Sequence, residues 1–160
     1  MTLFEKDFYC QIGLLSTGFA KLEHSIREII HLLIDVNCEF VSKLLIQENS
    51  TSQNQQLLVK IARVRHNEEE QIVELNKMID SLRINRNLFV HGDWRIHQEE
   101  GKGPIFVCST TKVTFKKGTY GISTMRNTYD GFSLSDLELE VQRIQHCIDQ
   151  AKEIIARLNK

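Results

Sequence analysis

The strongest constraint on the fold is a spacing. Phe8, Ile12, Leu15, Phe19, Leu22, Ile26, Ile29 and Leu33 recur at alternating steps of four and three. Such a stripe keeps one face of a helix apolar for about seven turns at 3.6 residues each. A period held near 3.5 suits helices that lie nearly antiparallel along one another, as in bundles and coiled coils. A chain that begins this way has to supply other helices with matching stripes. The single proline, Pro104, agrees with long helices, because proline removes a donor and clashes with the preceding turn. Gly13 and Gly18 either weaken this helix locally or let a neighbour come close. His24 and His31 stand seven apart, which suits bundle or interface contacts better than a metal pair.

The matching stripes follow. Asn37 ends the first helix, and residues 38–48, with Phe40, Val41, Leu44 and Leu45, read as a short second one. Residues 48–54 form a polar linker rich in cap-forming types. A helix from about Gln53 to His66 turns Leu57, Leu58, Ile61 and Val64 inward, and its Lys60, Arg63, Arg65 and His66 read as a solvated basic face. Glu68, Glu69 and Glu70 open the next helix, where the macrodipole favours anions. Ile72, Leu75, Ile79 and Leu82 carry its stripe, and the next positions of that series are Arg86 and Phe89. Past Gly92 the period changes from helical to two. Trp94, Ile96, Ile105, Val107, Val113 and Phe115 alternate with polar residues, and Gly101–Pro104 and Lys117-Gly118 mark turns. Residues 94–126 are predicted to form a small antiparallel hairpin or sheet inserted before the closing helix. That helix carries Leu134, Leu137, Val141, Ile144, Ile148, Ala151, Ile155 and Leu158, flanked by Cys147. Ser133 with Asp136, and Ser135 with Glu138, both have capping-box spacing.

The expected fold is therefore mainly α: a bundle of four to five helices with a β insertion, in one domain over residues 1–160. Its length is sufficient to bury a core. A net charge of -1 disfavours a protein that coats nucleic acid, although a local basic site is compatible with it. The insertion is such a region: Arg95, Lys102, Lys112, Lys116, Lys117 and Arg126 stand against Glu99 and Glu100, a local charge of +4. Its cations either guard a sheet edge or face phosphates. Cys10, Cys38, Cys108 and Cys147 show no metal-knuckle or redox-pair spacing, and no apolar run reaches membrane-spanning length. Free thiols in a reducing, cytoplasmic setting are expected, with no metal and no cofactor.

One residue breaks the pattern. Arg86 occupies a stripe position, where a guanidinium needs a carboxylate, a carbonyl or a phosphate. Asn87 and His91, four apart, share a face. Arg86 and His91 lie about 140° apart around a straight helix at 100° per residue. They can cooperate if the chain turns at Gly92 or if a second copy completes the site. Alternatively, Arg86 pairs with a buried carboxylate such as Glu23, and His91 interacts with the helix dipole.

The run Arg86-Asn87-Leu88-Phe89-Val90-His91 resembles the Arg-x-x-x-x-His motif of HEPN-domain proteins, including the polar residue after the Arg. Gly92 after the His also fits. The layout is similar too: a long first helix, the motif near the end of a central helix, and a long closing helix. The β insertion is not part of that family's core. The resemblance implies a homodimer with a composite active site at its interface, acting as a metal-independent endoribonuclease in toxin–antitoxin, abortive-infection or antiviral defence systems. It nominates Arg86, Asn87 and His91 as catalytic, and it implies a possible nucleotidyltransferase-like antitoxin as partner. Other members only bind RNA or nucleotides, or serve as dimerisation modules. In the enzymatic case a base removes the proton of the RNA 2′-OH, which attacks the adjacent phosphorus to give a 2′,3′-cyclic phosphate and a 5′-OH. Imidazole suits the roles of base and acid because both of its forms are available near neutral pH. An arginine suits the phosphate and its developing charge. Trp94, with Tyr120 and Tyr129, would either stack on bases or, for Trp94, fill the hairpin core. Lys112, Lys116 and Lys117 would contact backbone phosphates.

Overall fold

In the computed structural model, residues 2–34, 44, 46–97, 103–115, 122–128 and 131–160 are described; for 111–115 and 122–128 this extends to the backbone only. They form four long helices and one sheet. Helix α1 is Leu3–Ile34, α2 is Thr51–Arg65, α3 is Glu69–His91 and α4 is Leu134–Leu158. Between α3 and α4 run β1 (Asp93–His97), β2 (Ile105–Phe115) and β3 (Ile122–Thr128), an antiparallel meander in the order β1-β2-β3. The mainly α bundle with a β insertion before its last helix is thus present. The short helix expected over 38–48 falls mostly outside the described residues; Leu44, Ile46 and Gln47 are helical.

The bundle closes as a ring. Helix α1 lies against α4 and α2, and α3 sits between α2 and α4. The α1 stripe is the centre of the core, with Phe8, Leu15, Phe19, Leu22, Ile26, Ile29 and Leu33 all buried. Gly18 explains the close pairing with α4: a Cβ there would stand 2.9 Å from Ile144 Cγ2. Among the described residues nothing lies within 4 Å of the same position at Gly13, so Gly18 is the one of the two glycines that admits a neighbour there.

Helix α2 begins two residues earlier than expected. Ser50 caps it, its side chain accepting from the Gln53 N–H while the Gln53 side chain returns to the Ser50 backbone. Its buried residues are Asn54, Gln55, Leu58 and Ala62, and Val64 is 80% exposed. The inward placement of Val64 is corrected by helix geometry: it lies about 120° from Leu58 at 100° per residue. Arg65 Nη2 donates to Ile34 O at 3.1 Å, covering a carbonyl at the C-terminus of α1.

Helix α3 buries Ile72, Leu75, Ile79, Leu82 and Phe89, the stripe read from the sequence. At its start Glu68 is left-handed (φ 52°), and its carboxylate accepts from Arg157 Nη1 at 2.9 Å, joining the start of α3 to the end of α4. Helix α4 uses the Ser133–Asp136 capping box and not Ser135–Glu138. It buries Glu140, Cys147 and Ile154 beside the expected Leu137, Ile144, Ile148 and Ala151, a face widened because α4 meets both α1 and α3.

The sheet is fastened to the bundle by aromatic rings. Among the described side chains of β2, Phe106, Cys108 and Ser109 are buried, and the apolar Ile105 and Val107 are only partly so. Phe106 stacks on Phe8 and Phe4, with centroids 4.0 and 4.6 Å away. Its backbone exchanges hydrogen bonds of 2.8 and 2.7 Å with Phe132, just before α4. Of the cysteines, Cys10, Cys108 and Cys147 are free thiols, and Cys38 lies outside the described residues.

Candidate active site at the end of helix α3

Helix α3 ends because its last carbonyls are claimed from outside the helix. The Gly92 N–H donates to Leu88 O at 2.9 Å, and the Cys108 thiol donates to the same oxygen at 3.5 Å. Trp94 Nε1–H donates to Phe89 O at 2.9 Å. Three donors, two of them from the sheet, therefore close carbonyls that a helix end leaves open. The break expected at Gly92 is present, but its cause is not a left-handed backbone. Gly92 is extended, with φ -77° and ψ 151°. Glycine is required for space: a Cβ would lie 2.1 Å from Cys108 Sγ and 2.6 Å from Leu88 O.

Arg86 occupies its stripe position and is partly buried. Its Cζ stands 5.5 Å from the centroid of the Phe19 ring, and its Nη1 donates to Asn87 Oδ1 at 3.1 Å. Its Nε is buried without a hydrogen-bond partner. Among the described residues no carboxylate forms an ion pair with it. Glu23, the carboxylate considered from the sequence, instead accepts a hydrogen bond from Thr51 Oγ1. No described carboxylate offsets the guanidinium, and most of its donors are unengaged, which is the condition for receiving an anion.

Asn87 and His91 are exposed. Asn87 is joined to Arg86 and leaves its Nδ2 amide to donate elsewhere. His91 sits on the clamped last turn, and no contact joins its ring to Arg86 or Asn87. Within one chain the structure brings Arg86 and Asn87 together and leaves His91 apart, as the phasing requires. Ile84, 64% exposed, occupies the same side of α3: it lies seven residues before His91 and three before Asn87, about 20° and 60° around the helix.

Comparison with protein-family models, curated proteins and solved structures gives no match. The chemistry of the site rests on its own residues.

The other candidates separate clearly. Trp94 takes its core role: its ring meets Phe8, Phe89 and Phe132 at centroid distances of 5.0, 5.7 and 5.9 Å, with the indole N–H committed to the end of α3. The ring packs behind the last turn of α3 and is partly buried. Lys112 stands in β2 opposite Met125. Lys116, Lys117, Tyr120 and Tyr129 lie outside the described residues. Among the described residues no cluster of three or more His, Cys, Asp or Glu side chains is placed to hold a metal ion. No described helix is long and apolar enough to cross a membrane.

Two contributors were hidden from sequence reasoning. Phe19 reads only as a core residue in α1, and its contact with Arg86 depends on how α1 and α3 pack. Cys108 reads as an isolated thiol, and its place against Gly92 depends on strand register. Burial in the first instance, and the Asp93 charge in the second, push the Cys108 thiol up to about 11. It is therefore a packing and donor group in its neutral form.

Proposed function

We propose that this chain is a HEPN-type endoribonuclease that works as a homodimer, with RNA as substrate and a role as a toxin or antiviral defence effector. The observation that carries this reading is Arg86. It is a partly buried guanidinium on an apolar stripe, with no carboxylate partner among the described residues, beside Asn87 and five positions before His91. Arg86 and the Asn87 amide would bind the scissile phosphate and stabilise the charge that grows on its oxygens. One His91 would take the 2′-OH proton as the 2′ oxygen bonds to phosphorus. The other copy's His91 would protonate the departing 5′ oxygen. The products are a 2′,3′-cyclic phosphate and a 5′-OH. Because Arg86 and His91 diverge on one helix, the second copy would be needed to bring a histidine to each phosphate. Ile84, exposed on the side of α3 that carries His91, supports contact there.

The separation of His91 from Arg86 also supports a second reading, in which the chain binds RNA at Arg86 and Asn87 without cutting it. One experiment separates the two. Wild type, His91→Ala and Ile84→Glu are incubated with single-stranded RNA in EDTA, and both cleavage and binding are measured. The enzymatic reading expects wild-type cleavage in EDTA and a fall of about 10²–10⁴-fold for His91→Ala with binding retained, the usual contribution of a positioned acid or base. It expects Ile84→Glu to lose dimer and cleavage together. Full activity in His91→Ala, or activity abolished by EDTA, overturns it. Binding by wild type with no cleavage of a broad set of RNAs establishes the second reading.

A further inference from the structure

We infer that Phe19 is a positioning residue for Arg86: its ring face, in place of a carboxylate, holds the guanidinium ready for an anion. The inference rests on the phosphate-binding role proposed above. A partly buried guanidinium can be oriented in two ways. A carboxylate holds it strongly, but it cancels the charge and occupies the N–H edge that a phosphate needs. An aromatic face attracts the cation through the ring quadrupole and consumes no N–H donor. Arg86 has the second arrangement, with Cζ 5.5 Å from the Phe19 centroid. Phe19 is 2% exposed, so its ring is fixed by the core around it. At its neighbour Gly18, α1 packs so tightly on α4 that a Cβ would stand 2.9 Å from Ile144 Cγ2, which resists rotation of α1 and of the ring with it. Asn87 Oδ1 takes one Nη1 hydrogen, and the buried Nε has no hydrogen-bond partner. The ring and one amide oxygen therefore supply the orientation, and the remaining Nη donors stay available. The long first helix thus contributes to the site directly, beyond its part in the core.

The test is a double-mutant cycle with two readouts. The first is binding of a single-stranded RNA with 2′-O-methyl riboses, which cannot be cut by 2′-OH attack, to wild type, Phe19→Leu, Phe19→Tyr, Arg86→Ala and Phe19→Leu/Arg86→Ala. The second is the ¹H–¹⁵N resonance of the Arg86 Nε–H, identified by its loss in Arg86→Lys. The wild-type resonance is expected to be shifted upfield by the ring and to move back toward that of free arginine in Phe19→Leu. Probe affinity is expected to fall about five-fold in Phe19→Leu, within the range of a partly desolvated cation–π contact. It should recover in Phe19→Tyr, and Phe19→Leu should cause no further loss once Arg86 is alanine. Equal loss in the Arg86→Ala background would make Phe19 merely structural and overturn the inference. A wild-type resonance without the ring shift overturns it without any variant having to fold. If Arg86→Ala leaves probe affinity unchanged, the phosphate-binding role falls, and with it the purpose assigned to Phe19. The resonance then still reports whether the ring holds the side chain, so the two failures are distinguishable.

Discussion

Replacing Gly92 by alanine separates two explanations for a glycine at a helix end. If the position needed a left-handed backbone, asparagine would be the tolerated substitute. The observed φ of -77° is open to any residue, so space alone must exclude a side chain. The added methyl would lie 2.1 Å from Cys108 Sγ and 2.6 Å from Leu88 O. Carbon contacts are best at roughly 3.5–4.0 Å, so the overlap with sulfur is more than about 1 Å. Relief of both overlaps requires β2 to move away from α3 and the bond from Gly92 N–H to Leu88 O, 2.9 Å, to open. Overpacking of this kind costs about 1–3 kcal/mol, and a lost hydrogen bond about 1 kcal/mol. The sum, about 2–4 kcal/mol, lowers the melting temperature of a domain this size by roughly 6–12 °C. Thermal melting followed by circular dichroism measures it. Gly92→Asn should melt no higher than Gly92→Ala, and Cys108→Ala should return part of the Gly92→Ala loss by removing the sulfur. A Gly92→Ala protein that melts within about 2 °C of wild type refutes the reasoning, as does a Gly92→Asn protein with wild-type stability.

Ser133→Ala removes the cap of α4 and should cost about 1 kcal/mol, seen as a fall in melting temperature of roughly 2–4 °C. The Asp136 carboxyl is held below its ordinary value of 3.8 first by the Ser133 hydroxyl and then by the Ser133 backbone N–H. Its stabilisation is therefore present above that pH and is lost as pH falls through the folded-state value, so Ser133→Ala should flatten the acid limb of the stability curve below about pH 4. Cys108 gives the opposite sign: its thiol is raised from 9.0 to about 11, so the contribution is full below pH 9 and fades as pH rises toward 11. Alkylation at pH 8 followed by mass spectrometry should label exposed Cys10 rapidly and Cys108 only with unfolding; rapid labelling of Cys108 in the folded protein would contradict its placement.

Helix existence was legible because a stripe repeated at three and four can be buried in only one way. Its width was not. Asn54 is buried on α2 because its Nδ2 donates to Ile46 O at 3.3 Å and its Oδ1 accepts from Asn49 at 3.1 Å. Hydrophobicity cannot register a polar side chain made compatible with the core by its partners, and so Val64 looked the better inward residue. Glu140 is similar: it is buried on α4 while one oxygen accepts from Arg143 Nη1 at 2.6 Å. In the sheet, alternation was visible but its phase was not, because residues 105–108 are all apolar and only the docking of Phe4 and Phe8 selects Phe106. The closeness of Gly92 to Cys108 joins positions on different elements, and neither residue reveals it alone.

Arg86 shows where sequence reasoning stops and packing takes over. Its place on the stripe could be read from spacing, and so could its divergence from His91. Whether its charge was cancelled could not, because that depends on the helix across from it. The surface opposite holds Phe19, while Glu23, four residues and about 40° further around α1, is engaged by Thr51. Had α1 turned about 40° and shifted about 6 Å along its axis, a carboxylate would stand where the ring face is, and the proposed anion site would be an internal ion pair. Gly18 opposes that rotation, since it fixes how α1 meets α4. The sheet does the same at the other end of the stretch, holding the last turn of α3 through Trp94 and Cys108. The spacing of Arg86 and His91 is thus set by two unrelated anchors, the α1–α4 contact and the aromatic seam of the insertion. That gives the β insertion a structural reason to follow directly on the motif: without Trp94 the Phe89 carbonyl in the turn that carries His91 would lose its donor, and without Cys108 Leu88 O would keep only the Gly92 N–H.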